Sequence, residues 1–279
     1  MHIALNAQLI SGQAGYRGAG VNNYARQLLG ALGAAALAGE TRHRFTAFVH
    51  TPGLVIPGVD LVVSSPRLER PVVRIAWEQT ALPLALARCG ADAVHGLVNV
   101  LPLAARTPGV VTVHDLSFVR TPQLLPPLKR LYLTRLAALS VARARAVIAV
   151  SRQTAADVMS IFGAPAAKVH VVYNGVAPAF TPGDAEGSAR FRAARGLPAR
   201  YFLYLGTLEP RKNLELLLRA FARWRQAAGE DAAGVKLVLA GGKGWYYDTI
   251  FAQVTGLGLA DSVLFPGFIP PADLPDWYR

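Results

Sequence analysis

The sequence predicts an α/β protein built as two doubly wound units, the first spanning residues 1–178 and the second 179–279. Three observations carry this reading. Short β-rich apolar runs alternate with longer helical stretches, the pattern of parallel strands joined by helical crossovers. The alternation breaks once, at Gly175–Ser188, where Pro178, Pro182 and three glycines give the composition of a linker, and then restarts. The length of 279 residues suits about two domains with cores of their own.

Taken in order, His2–Leu9 reads as the first strand, followed by a Gly-rich loop and a helix from Val21 to Ala36. Arg44–His50 and Val59–Ser65 are strands, Ile75–Arg88 a helix, and Ala91–Leu97 and Val110–Asp115 buried strands. A long helix covers Pro127–Arg145; a strand at Ala146–Ser151, a helix at Arg152–Phe162 and a strand at Val169–Asn174 complete the first unit. In the second, Tyr201–Gly206, Val235–Ala240 and Val263–Phe265 are strands, Asn213–Ala227 and Tyr246–Gly256 are helices, and a last helix begins near Pro271. Three strands are fewer than a doubly wound domain normally carries, so the second unit reads as incomplete.

Composition narrows the function classes. The single cysteine, Cys89, supports neither an internal disulfide nor a Cys-based zinc site and reads as a small buried hydrophobe in a reducing compartment. The formal net charge is +12, and residues 1–180 hold 17 basic against 7 acidic side chains. No acid occurs between Asp115 and Asp157, a stretch with seven basic residues. Such a field attracts nucleic acid, an anionic membrane surface or phosphorylated substrates. Neither aromatic-interleaved basic strands nor a recognition helix is present, which argues against nucleic acid. Basic residues surround the Pro127–Arg145 helix instead of lining one face, a poor pattern for an amphipathic anchor. No apolar run reaches the roughly 18 residues of a spanning helix. The N-terminus lacks the basic and apolar regions of a signal peptide. The expectation is a cytoplasmic protein with peripheral contact at an anionic membrane face.

Four constellations could carry chemistry. The loop Gly12–Gly20 brings Gly18 and Gly20 to a helix N-terminus, where a backbone can approach an anion closely. It is not a dinucleotide fingerprint: Asn23 replaces the third glycine, and His50 stands where an acid would end strand two. His114-Asp115 lies at a strand's carboxyl end, where open α/β sheets bind ligands. The imidazole there could donate to a substrate hydroxyl, and the carboxylate could cap the loop or orient the ring. Gly206–Asn213 joins a strand to a helix and places Arg211 and Lys212 at the sheet's mouth, with Asn213 as the expected N-cap. Ala240–Trp245, with Gly241 and Gly242, is a second Gly-rich turn on the same rim and could shape a nucleotide pocket; it lacks the ending of a phosphate-binding P-loop. There is no Asp-x-Asp pair, no His-Glu-x-x-His and no Gly-x-Ser-x-Gly, so neither a metal nor a serine nucleophile is expected.

With these residues in view, the chain resembles the family-4 glycosyltransferases, retaining enzymes of the GT-B fold. The stretches that carry the likeness are Gly18–Arg26, Val111–Leu116, Val147–Asp157, Val171–Val176, Tyr204–Leu214, Leu239–Trp245 and Phe265–Leu274, in family order. The Glu-Pro-Arg-Lys-Asn run at Glu209–Asn213 is the most specific of them. The resemblance implies two Rossmann-like domains facing a cleft. It implies transfer of a mannose-like hexose from a GDP- or UDP-sugar to a hydroxyl of a glycan or lipid-linked acceptor, without a metal or other cofactor. Arg211 and Lys212 would hold the donor diphosphate, Gly18 and Gly20 would approach it from the facing domain, Gly206, Gly241 and Gly242 would line the nucleotide pocket, and His114, beside Asp115, would contact the transferred sugar near the reacting carbon.

Two departures stand out. The family's Glu-x7-Glu segment falls beyond Arg279, and Thr207 occupies a place where many members carry arginine. A C-terminally truncated enzyme, its first domain folded and its second unstable, is therefore expected, with a non-catalytic remnant that binds nucleoside diphosphates as the alternative.

Overall fold

The computed structural model describes residues 1–10, 20–124, 127–244 and 247–279, with only the backbone of Leu124 and Arg211. The chain divides into two units between Gly175 and Val176.

The first unit runs β1 (His2–Asn6), α1 (Val21–Leu37), β2 (Arg44–Val49), β3 (Asp60–Val63), α2 (Pro71–Cys89), β4 (Ala93–Gly96), β5 (Gly109–Val113), α3 (Ser117–Arg120), α4 (Pro127–Arg143), β6 (Ala146–Ala149), α5 (Arg152–Phe162) and β7 (Val169–Val171). Its seven described strands form one parallel sheet in the order β3-β2-β1-β4-β5-β6-β7. Both faces are covered, as a parallel sheet requires. Along β1, Ala4 joins the core beneath α2 with Leu82, Leu86 and Val111, while its neighbour Leu5 joins the opposite core with Ala25, Leu29 and Phe45. Helix α2 begins at Pro71, earlier than the apolar spacing suggested, because proline at the first helical position gives up no needed N–H.

The second unit contains α6 (Ala185–Ala194), β8 (Tyr201–Leu205), α7 (Leu214–Ala228), β9 (Lys236–Ala240), α8 (Asp248–Gly256), β10 (Val263–Gly267) and α9 (Leu274–Tyr278). Its three described strands are parallel, in the order β10-β9-β8. Alternation along β9 sends Leu237 and Leu239 to one core and Val238 and Ala240 to the other.

Helix α6 is a correction. The Pro/Gly composition of Gly175–Ser188 reads as linker, yet a helix starts inside it. The Asp184 side chain accepts from the Gly187 N–H at the helix N-terminus. Phe191 then packs edge-on against Trp277. A second correction concerns Asn213. It sits at the start of α7 but makes no side-chain cap bond, because the preceding Pro210–Lys212 turn leaves it left-handed at φ 52°. Asparagine tolerates that conformation better than most residues.

Among the described residues no helix is long and apolar enough to cross a membrane.

Candidate functional site

In the first unit the carboxyl ends of β1, β4 and β5 gather a set of polar side chains. β5 ends at Val113, and His114 follows it. The His114 N–H donates to Asn99 Oδ1 (3.2 Å), and its ring Nε2 lies 3.0 Å from the Leu97 carbonyl oxygen. A carbonyl only accepts, so Nε2 carries the proton and a neutral ring keeps Nδ1 as an acceptor. Donation from His114 to a substrate, the role expected from the sequence, would require a proton on Nδ1 as well, since the Nε2 proton is directed at Leu97.

Tyr24, on α1, meets the His114 ring edge-on, with centroids 4.7 Å apart at 83°. Such pairs contribute about 0.5–1.5 kcal/mol beyond their buried area. The Tyr24 hydroxyl lies 3.1 Å from Thr112 Oγ1, and His95 Nε2 lies 2.8 Å from the same oxygen. Burial pushes the His95 imidazole down to about 4, with the nearby His114 adding to the shift. Burial also holds His114 below the ordinary histidine range, against the opposing pull of the Leu97 carbonyl and Asp115. The Tyr24 phenol is raised by burial, the Thr112 bond acting against it.

Asp115 does not orient the ring. Its Oδ1 accepts from the Ser117 N–H (2.9 Å) and Ser117 Oγ (2.7 Å), which fixes the loop leading into the short α3. Its hydrogen bonds stay within its own loop.

Nearer β1, Asn6 Nδ2 donates to Glu78 Oε1 (3.1 Å), and Arg74 stands 3.8 Å from the same oxygen. Glu78 is only 6% exposed, and burial raises its carboxyl above the usual range, with Arg74 and Asn6 opposing.

Gly20 opens α1 with φ 55°, a conformation suited to glycine. Gly18 lies outside the described residues.

In the second unit, the loops after β8 and β9 are joined to each other. The Gly206 N–H donates to Ala240 O (2.9 Å), Leu208 N–H to Gly242 O (3.0 Å) and Gly244 N–H to Leu208 O (3.0 Å). Gly241, at φ 148°, packs so tightly that no side chain fits against Gly206. These glycines hold two strand ends backbone to backbone. Lys243 lies over the rings of Tyr247 and Phe251, 5.0 and 5.5 Å from their centroids. From the same rim the chain turns through Pro210–Lys212 into α7, placing exposed Lys212 immediately before the helix. The Arg211 side chain is outside the described set.

The structure thus places Gly206, Gly241, Gly242 and Lys212 on one rim of the second unit, and His114 on the corresponding strand ends of the first. Sequence reasoning assigned no role to Tyr24, Thr112, His95 or Glu78. The first two lie inside the motifs Gly18–Arg26 and Val111–Leu116, but nothing in their spacing links them. Among the described residues no group of three His, Cys, Asp or Glu is placed to hold a metal ion.

Comparison with known proteins gives two family matches in tandem: Glycosyltransferase Family 4 over residues 18–180, and Glycosyl transferases group 1 over 188–279. The O-antigen chain mannosyltransferase B of Escherichia coli is 26% identical over 170 residues, 61% of this chain and 44% of that protein. The GDP-mannose-dependent alpha-(1-6)-phosphatidylinositol monomannoside mannosyltransferase of Mycolicibacterium smegmatis is 35% identical over 127 residues, 45% of this chain and 32% of that protein. The chain therefore spans less than half the length of these relatives. Among solved structures, Anabaena Alr3699/HepE in complex with UDP-glucose superposes with a TM-score of 0.69 at 21% identity, covering 99% of this chain and 71% of that one. At that identity the likeness shows the fold, GT-B, which is the one the sequence predicts.

Proposed function

The chain belongs to glycosyltransferase family 4, and from that premise we propose that it moves a mannose-like hexose from a GDP- or UDP-sugar to a hydroxyl of a glycan or lipid-linked acceptor, with retention at the anomeric carbon. The observation that carries the proposal is the tandem of the two family matches, the second of which spans the basic strand-end loop. The two mannosyltransferase relatives support mannose, and one of them is named for GDP-mannose. The UDP-glucose bound to the Anabaena neighbour supports a nucleotide-sugar donor more broadly.

In this reading Arg211 and Lys212 neutralise the donor diphosphate at the start of α7, where unpaired backbone N–H groups add to the positive potential. The C–O bond to the diphosphate breaks as the bond to the acceptor oxygen forms on the same face of the sugar, and the acceptor's O–H proton passes to the departing diphosphate oxygen. Charge grows on the leaving group, so fixed cations stabilise the transition state more than the ground state. These cations, and no metal ion, are proposed to meet that charge. The linked glycine loops keep the rim fixed, so little reorganisation is needed during reaction. In the first unit His114 is proposed to meet a substrate hydroxyl.

Peripheral contact with an anionic membrane is part of the proposal. At the start of α4, Leu128 and Leu131 are 77% and 55% exposed beside exposed Lys129 and Arg130. Exposed leucines flanked by cations suit an anionic interface.

The test is release of GDP or UDP from a panel of nucleoside-diphosphate hexoses incubated with the purified protein and hydroxyl acceptors. Acceptor-dependent release from GDP-mannose is expected. Release from no donor in the panel would overturn the proposal.

A further inference from the structure

The His114 ring touches Tyr24 and the Leu97 carbonyl, and Tyr24 is in turn tied through Thr112 to His95. Tyr24 comes from α1, Thr112 from β5 and His95 from β4. We propose that Tyr24 is the positioning residue of His114, and that with Leu97 it presents the imidazole to substrate as a hydrogen-bond acceptor through Nδ1, so that the group received there is a hydroxyl and not a phosphate or carboxylate oxygen. This rests on the reading of His114 as a substrate contact.

The proton inventory supplies the polarity. Leu97 O takes the Nε2 proton at 3.0 Å, so the second nitrogen of a neutral ring offers only a lone pair. A lone pair attracts a hydroxyl proton and repels an anionic oxygen. His114 is partly exposed, which leaves room for a ligand to reach it.

The orientation comes from Tyr24. Its ring edge closes one side of the imidazole, and its hydroxyl is tethered 3.1 Å from Thr112 Oγ1, so the ring cannot swing without losing that bond. Thr112 is fully buried and is held in turn by His95, 2.8 Å away. Among the described residues, the titratable groups that act on the imidazole are His95 and Asp115, with the Tyr24 phenol in contact. Asp115 is engaged with Ser117, and His95 remains uncharged near neutrality, so the arrangement favours the neutral ring.

The experiment combines histidine-selective 15N NMR with transfer kinetics on the wild type, Tyr24→Phe, Tyr24→Leu and His114→Ala. The expected spectrum shows His114 protonated at Nε2 and bare at Nδ1 at pH 7.5. Tyr24→Phe keeps the ring edge and should keep the tautomer, which guards against mistaking a folding defect for a positioning effect. Tyr24→Leu should let the His114 titration climb toward its ordinary value of ~6.5. The acid limb of kcat/KM should move in the same direction. An Nδ1-protonated ring overturns the proposal. So does a Tyr24→Leu variant that moves neither titration nor pH profile while His114→Ala loses activity, a result that leaves the proposed function intact. Unchanged kcat/KM in His114→Ala overturns the substrate contact itself, whatever the spectra show.

Discussion

A Cβ placed on Gly241 would stand 1.9 Å from the carbonyl oxygen of Gly206. The two residues end adjacent parallel strands and sit on the rim where the basic loop begins, so backbone packing, and not ligand approach alone, requires glycine there. Gly241→Ala should therefore lower stability by roughly 1–3 kcal/mol, from strain at φ 148° together with the clash. Gly30→Ala is the contrasting case: it lies in α1 with open space around its Cβ and should stabilise by about 0.5–1 kcal/mol. Urea unfolding of both variants checks the pair.

Lys212→Ala should weaken GDP and UDP binding roughly 10–100-fold, as expected for losing a charge-assisted contact, and leave the melting temperature nearly unchanged because Lys212 is exposed. Calorimetric titration measures the first and thermal unfolding the second. Equal affinity in the variant would remove Lys212 from the diphosphate site.

Glu78 gives a pH dependence of definite sign. Its carboxyl is raised in the folded state by burial, so between the unfolded value of ~4.3 and the folded one the native state holds the extra proton. That contribution to stability is complete below the unfolded value and is lost as pH rises through the folded one. Glu78→Gln keeps the acceptor for Asn6 and removes the charge. The variant should gain stability over wild type at pH 8, and the difference should vanish near pH 4. A variant less stable than wild type at pH 8 would show that the Arg74 pairing outweighs burial.

Sedimentation with phosphatidylglycerol vesicles should capture the protein at low salt and release it as ionic strength rises, since exposed cations are screened within about 10 Å at 0.1 M. Replacing Leu128, Lys129, Arg130 and Leu131 with Ser should abolish capture. Capture equal to wild type would place the contact elsewhere.

Where local chemistry decides, the fold was legible in the sequence. Helix α5 matches its expected Arg152–Phe162 span because both ends are marked: Ser151 Oγ accepts from the Thr154 N–H (3.0 Å), and Gly163 closes the helix in the left-handed region. The loops after Gly206 and Ala240 were placed correctly at strand ends by their glycines. Helix α6 was hidden because its partner, Trp277, lies far along the chain and its own first turn carries glycine. The Tyr24–Thr112 contact spans 88 positions, and no periodicity relates a helix residue to a strand residue at that distance. His114 was visible as a strand-end residue, but its donor-or-acceptor character was not, since that depends on the carbonyl of Leu97.

The most direct test of the account is the anomeric configuration of the product, read by NMR as an α-linked nucleoside-diphosphate hexose is turned over with acceptor. An α-glycoside formed with release of the nucleoside diphosphate is the predicted result. A β-glycoside would contradict the retaining transfer at the centre of the account.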